Sequence, residues 1–175
     1  MKAFRPGQIR QATALMLCLF SSAIPVLGAL IVNDPDGFGN IPWGTILSET
    51  EHFAKIEDSG RVQVYEQIGR TPLLGPVTVD SVRWTTFEKK FGRVTIRYSG
   101  QDAHEAILTY LQSTYGPLDQ TPGQITIGPV KVYTWRGVST DVTLRFDAKL
   151  DHGIIFFESR TLPEKPVDET SAPAF

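Results

Sequence analysis

Hydrophobic and polar positions alternate along this chain in two rhythms, and their order predicts the fold. Arg61–Ile68 (RVQVYEQI) puts Val62, Val64 and Ile68 on one side, the period of a half-buried strand. Val77–Phe87 and Val94–Ser99 are further strand candidates, and the charged bend Glu88-Lys89-Lys90 with Gly92 between them predicts a hairpin. Val130–Arg136, Asp141–Asp147 and Gly153–Ser159 continue the pattern, with Asp151-His152-Gly153 as the last turn. Ala103, Ala106, Ile107, Tyr110 and Leu111 instead recur at helical spacing, capped by Ser99 or Asp102 and stopped by Gly116-Pro117. A shorter helix is predicted from Ser48: Glu51 completes a capping-box pattern, Phe53 and Ile56 face inward, and Ser59-Gly60 ends it.

The resulting order is helix, three strands, helix, three strands. Consecutive strands without crossover helices imply antiparallel pairing. The expected fold class is therefore α+β, an antiparallel sheet of about six strands with two helices on one face. Val94–Ser99 (VTIRYS) echoes Val142–Asp147 (VTLRFD), and Gly75-Pro76-Val77 recurs as Gly128-Pro129-Val130. These echoes suggest two αβββ repeats. Their spacings differ by five residues, so duplication and chance similarity both stay open.

The first 33 residues stand apart. Lys2, Arg5 and Arg10 precede an uncharged apolar run, Ala12–Val32, and no acid occurs before Asp34. This is the pattern of an export signal. Read as a cleaved signal peptide it spans residues 1–29, with Pro25 breaking the helix ahead of Val26-Leu27-Gly28-Ala29. Read as an uncleaved anchor, residues 12–32 are long enough to cross a membrane, which takes about 20 residues. Read as a lipoprotein signal, Cys18 would be acylated, although Leu17 before it is not small. The expected division is a signal peptide at 1–29, an irregular turn-rich lead-in at 30–40, one α+β domain at 41–162 and a disordered, Pro-rich tail at 163–175.

Removing residues 1–29 takes three of the 17 basic residues and none of the 19 acids, leaving a formal charge of −5 on 146 residues. That length suits one compact domain. A mild acidic excess without a basic block argues against nucleic acid as partner. The single cysteine lies in the leader and neither asparagine is a glycosylation acceptor, which favours a bacterial envelope, periplasmic or extracellular, over a eukaryotic exterior. The alternative localisation is an inner-membrane anchor through residues 12–32, and membrane contact is expected only through the leader if it is retained.

The candidate chemistry is sparse. His52 and His104 fall on the predicted helices and His152 in a turn, none at ligand spacing with another His or Cys. Asp34-Pro35-Asp36-Gly37 starts like a calcium loop, but its fifth and twelfth positions are Phe38 and Thr45, neither of them the oxygen ligand and bidentate acid required there. An Asx–Gly turn accounts for it. Gly37-Phe38-Gly39 is too short for a phosphate cradle, and no serine lies in a nucleophile-elbow context. Glu49/Glu51 and Glu57/Asp58 are paired acids that adjacent helical positions would splay into solvent. No catalytic residue, metal ligand or cofactor is expected.

Asn40-Ile41-Pro42-Trp43-Gly44-Thr45 ahead of a first helix, Tyr115-Gly116-Pro117 closing a second, and a following strand with Trp135 resemble small exported bacterial proteins of unassigned function. The αβββ duplication resembles the architecture of β-lactamase-inhibitor proteins and, more loosely, the small lipoproteins of outer-membrane assembly. The resemblance covers Ile41 to Thr161 and is one of layout. It implies a duplicated sheet layer and carries over no functional residue.

What remains is the sheet face away from the helices. If Val94, Ile96, Tyr98, Val142, Leu144 and Phe146 face inward, then Thr95, Arg97, Thr143 and Arg145 face out. With Val130, Val132 and Thr134 in the core, Lys131, Tyr133 and Trp135 also face out. The last strand, Ile154-Ile155-Phe156-Phe157, is apolar on both faces, so it is either central or has its outer face covered by a partner chain, a second copy or the tail. Arg97, Tyr133, Trp135, Arg145 and Phe157 are the candidate partner-binding residues, a composition typical of interface hot spots. The competing reading pairs Arg97 and Arg145 with Asp141 and Asp147 and lets Trp135 close a core edge. The expected function is an exported, non-enzymatic interaction or scaffold module that binds an envelope protein or itself. The alternatives are a small hydrolase with dispersed residues around His104 or His152, and a carrier of a small ligand or lipid.

Overall fold

The computed structural model describes residues 31–118 and 123–162; the leader and the tail at 163–175 lie outside them. Twelve strands and one α-helix follow one another in the order β1 (Gly37–Phe38), β2 (Ile41–Pro42), β3 (Phe53–Asp58), β4 (Val62–Gln67), β5 (Leu73–Leu74), β6 (Val77–Thr78), β7 (Ser81–Phe87), β8 (Lys90–Ser99), α1 (Gln101–Tyr115), β9 (Gln124–Ile127), β10 (Val130–Arg136), β11 (Thr140–Asp147) and β12 (His152–Ser159). Eight of the strands form one antiparallel sheet in the order β3-β4-β7-β8-β12-β11-β10-β9, while β1-β2 and β5-β6 are separate two-stranded hairpins. The protein is thus mostly β with a single helix among the described residues, which overturns the expected six-stranded sheet under two helices.

The missing helix has a local cause. Of the segment expected to start at Ser48, only a 3₁₀ turn at Leu47–Glu49 is helical. His52 then takes a left-handed conformation, φ 68°, which ends any helix there. Phe53–Asp58 pairs with β4 instead, with a bulge between Lys55 and Glu57. Short, weakly amphipathic segments have little helical stability of their own, and here a neighbouring edge offers a full hydrogen-bond ladder. At the opposite edge Gln124–Ile127, which the sequence pattern does not mark as a strand, pairs with β10.

Each half of the sheet is a four-stranded meander that starts at an outer edge and ends at the centre, and β8 and β12 join the halves. VTIRYS and VTLRFD do not occupy equivalent places in these meanders. They lie on either side of β12, in register with it: Ile155 stands between Ile96 and Leu144, Phe157 between Val94 and Val142, and Gly153 between Tyr98 and Phe146. The two segments are alike because they meet the same neighbour in the same way. Gly153 is dictated by this row, since a methyl group there would overlap the Tyr98 ring.

Helix α1 returns along the sheet from the Tyr98–Phe146 end to the Phe157–Trp135 end. It buries His104, Ile107, Leu111 and Tyr115. The Trp135 indole N–H reaches the Gly116 carbonyl at 2.9 Å, tying the helix end to β10. Over the first half of the sheet the lead-in does the covering. Phe38 packs on Trp84 and Phe157 at 5.3 and 4.8 Å between ring centres, and Trp43 packs on Phe91 at 4.7 Å.

The lead-in is clasped at its start. Asp34 accepts hydrogen bonds from the backbone N–H groups of Val138, Ser139 and Thr140, at 2.6, 2.6 and 3.1 Å. Thr140 Oγ1 donates to the Pro35 carbonyl and accepts from the Trp43 indole. The stretch that starts like a calcium loop is therefore a carboxylate cap on the β10–β11 turn.

Two stability effects follow. Asp34→Ala orphans three turn N–H groups and should cost about 1–3 kcal/mol in urea unfolding. Gly153→Ala should cost a similar ~1–3 kcal/mol through overpacking, whereas alanine at the open turn residue Gly128, which has no neighbour within 4 Å, should cost only the strain of its positive φ, about 1 kcal/mol.

Candidate functional site

Register decides which expected residues share a face. β10 pairs with β11 so that Tyr133 lies opposite Leu144 and Trp135 opposite Val142. Both aromatics therefore point toward α1, and they are buried, at 4 and 0% exposure. Val130, Val132 and Thr134 face the other way, the reverse of the alternation expected for this strand. Either face of VKVYTWR is apolar enough to turn inward, and the larger pair of aromatic rings takes the core. Phe157 is likewise fully buried. Of the five expected partner-binding residues, the structure places Tyr133, Trp135 and Phe157 in the core and leaves Arg97 and Arg145 on the open face.

Those two arginines sit in one row that crosses six strands: Ser81, Arg97, Ile154, Arg145, Val132 and Ile125. Arg97 is exposed and Arg145 half-buried, with half-buried Ile154 between them. The next row runs Arg83, Thr95, Phe156, Thr143 and Thr134. Toward the β9 edge Ile125 and Ile127 are exposed at 58 and 66%. Ile154 and Phe156, not the expected Phe157, are the outward residues of β12. The signal was present in the alternation of Ile154-Ile155-Phe156-Phe157 once β12 is set between β8 and β11.

Charge is distributed unevenly over this face. At its lower end Arg93 pairs with Glu158 at 2.6 Å, and its guanidinium lies 5.8 Å from the centres of both the Phe87 and Phe156 rings. Arg160 pairs with Asp141 at 3.5 Å, and Arg83 with Glu57 and Glu66, each at 3.3 Å. Arg97 and Arg145 have no acidic partner among the described residues. Asp141 is engaged by Arg160, and Asp147 accepts the turn N–H groups of Lys149 and Leu150 at 2.9 and 3.1 Å. The pairing of Arg97 and Arg145 with Asp141 and Asp147 does not form.

Two groupings carry titratable chemistry. Ser99 lies 2.9 Å from His152 Nδ1 and donates to Asp80 at 2.7 Å. The hydroxyl stands in the middle, its proton directed at the carboxylate. An activated nucleophile needs the imidazole in the middle, oriented by the acid. The second grouping is buried: Tyr98 hydroxyl to His104 Nδ1 at 2.7 Å, with the imidazole stacked on Phe146 at 4.0 Å and near Tyr133 at 5.8 Å. His104 is 2% exposed. Burial and the nearby Lys131 ammonium lower its pKa, against a smaller opposing pull from Glu105, and burial raises those of Tyr98 and Tyr133. This pair is a satisfied polar contact inside the core, with no opening to substrate. Between α1 and the sheet, Ile96, Ile107, Leu111, Leu144 and Ile155 are packed to zero exposure.

The lowered pKa of His104 has a definite sign. The unfolded chain takes up a proton near the ordinary histidine value of about 6.5, whereas the folded protein takes it up only at lower pH. Stability is therefore intact above about pH 6.5 and falls as pH drops below it, by at most about 1.4 kcal/mol per pH unit. Urea unfolding between pH 7.5 and 5.5 should show this loss, and His104→Gln should flatten it. Comparison with protein-family models, curated proteins and solved structures finds no match to this chain.

Proposed function

We propose that this protein is an exported, non-enzymatic binding domain whose working surface is the sheet face opposite α1. The observation that carries the reading is the row Arg97–Ile154–Arg145. A central strand shows apolar side chains outward between two arginines that no acid of the described residues neutralises. Contiguous apolar surface on a folded domain marks interaction sites, and arginine beside apolar groups is the composition of interface hot spots. Val132, Ile125 and Ile127 extend the same surface to the β9 edge. The basic head and apolar body of residues 1–29 support export. The chemistry recognised is a protein surface with carboxylates flanking an apolar ridge, since unneutralised guanidinium groups favour carboxylate partners.

Arg97→Glu with Arg145→Glu tests the reading. Neither residue has an acidic partner among the described residues, so unfolding free energy should stay within about 0.5 kcal/mol of the parent. Crosslinking with mass spectrometry in the producing cell should show the yield of partner complexes falling about tenfold or more. An unchanged set of crosslinked proteins at unchanged yield would show the proposal to be wrong.

A further inference from the structure

We propose that the cleft between the β1–β2 and β5–β6 hairpins binds a small carboxylate with an apolar body, its oxygens held by the Trp84 indole N–H and the Arg70 guanidinium. The cleft lies on the α1 side of the sheet, away from the open face, so this site does not depend on the binding surface proposed above. It has two lobes, of about 400 and 520 Å³, and Phe38, Gly39 and Leu73 border both.

The first observation is the indole. Of the three tryptophans, Trp43 donates to Thr140 Oγ1 at 2.7 Å and Trp135 to the Gly116 carbonyl at 2.9 Å. Trp84 borders the first lobe and is 2% exposed, and its N–H has no acceptor among the described residues. Phe38, Phe53 and Phe91 pack around the ring and offer none. A buried donor without an acceptor costs the fold free energy that an incoming acceptor returns. The ring edge next to Nε1 faces Gly39, where a methyl group would lie 3.1 Å from Cη2 and 3.7 Å from Cζ2. Glycine thus keeps this edge clear of side-chain atoms. Gly39 is an exposed turn residue with φ 57°, and a small outward displacement of that turn lets a ligand oxygen reach the N–H.

The second observation is which polar groups of the first lobe are already engaged. Glu66 pairs with Arg83 at 3.3 Å, and Asp80 accepts from the Ser99 hydroxyl at 2.7 Å. Arg70, exposed in the loop between β4 and β5, borders the same lobe and has no acidic partner among the described residues. The groups left unmatched are therefore both donors, a guanidinium and an indole N–H. A carboxylate matches them, because it only accepts hydrogen bonds and presents two oxygens.

The third observation is the second lobe, which is bordered by Pro35, Pro42, Leu74, Tyr110 and Tyr115. The β5–β6 turn is seated on the helix here: a methyl group at Gly75 would overlap the Tyr110 ring at 2.4 Å. Leu73, half exposed, stands where the lobes meet. Volumes of this order accept ligands up to drug size, so a carboxylate carrying one ring or a short chain fits, with its apolar part against the prolines and tyrosines.

Titration of the isotope-labelled full chain, followed by NMR of the three indole N–H signals, tests the site. The probes are hexanoate, hydrocinnamate, propionate and the neutral amide of hydrocinnamate. Hexanoate and hydrocinnamate should move the Trp84 signal saturably and leave those of Trp43 and Trp135, which already have acceptors, in place. Replacing hydrocinnamate by its amide should raise the dissociation constant about tenfold or more, and so should Arg70→Gln, which changes an exposed loop residue. Propionate, lacking the apolar body, should bind about tenfold more weakly than hydrocinnamate. No saturable shift of Trp84 with hexanoate or hydrocinnamate up to about 20 mM, a concentration that fills even a millimolar site, would overturn the inference. An amide bound as tightly as the acid, affinity unmoved by Arg70→Gln, or equal shifts at all three indoles would overturn it as well.

Discussion

The structure depends on β12 being apolar on both faces. Ile155 and Phe157 point toward α1 and are wholly buried, while Ile154 and Phe156 point the other way. Such a strand is stable only where both of its edges are paired, which places it in the middle of a sheet. β8 and β11 supply those edges, and their near-identical segments are matched to β12 residue for residue. Once these three strands are set, the remaining five take their places outward in reverse chain order as two meanders. Gly153 then follows from the rings of Tyr98 and Phe146 on either side.

Covering the inner face of an eight-stranded sheet is more than one 15-residue helix can do. Aromatic hairpins complete the layer. Phe38 touches both Trp84 on β7 and Phe157 on β12, so the lead-in bridges the two halves of the core. Its anchor lies at the far side of the sheet, where Asp34 caps the turn of the second meander. One carboxylate therefore holds a segment that packs on the first meander to a turn that belongs to the second. A short cover of this kind depends on its anchor more than on its own contact area.

Elements with strong local signals were legible in the sequence: α1 with its Gly-Pro stop, the Glu88–Lys89 hairpin, and strands at β4, β8, β10, β11 and β12. What failed were places where tertiary context overrules a weak local pattern. A capping box at Ser48 cannot hold a helix that lacks an apolar stripe, and the segment became edge strand β3. Gln124–Ile127 is too short to register as a strand until β10 is beside it. On β10 the alternation was recognised but its phase was not, because both faces of VKVYTWR satisfy a binary pattern. That one-residue ambiguity moved Tyr133 and Trp135 from the expected site into the core. It concealed the outward ridge of Val132, Ile154 and Phe156, while Arg97 and Arg145 were placed correctly because β8 and β11 alternate cleanly.

The two ends of the open face solve the problem of charge differently. At one end, Arg93 and Glu158 pair closely beside the Phe87 and Phe156 rings, and Asp141 holds Arg160. Four residues along β8 the same kind of side chain stands without an acid among the described residues, although Asp147 is only two residues from Arg145. Asp147 instead accepts the N–H groups of Lys149 and Leu150 in its own turn. Fold requirements therefore consume the nearby carboxylates at one end and withhold them at the other. A surface left with cationic and apolar groups side by side gains from any acidic, apolar segment that reaches it.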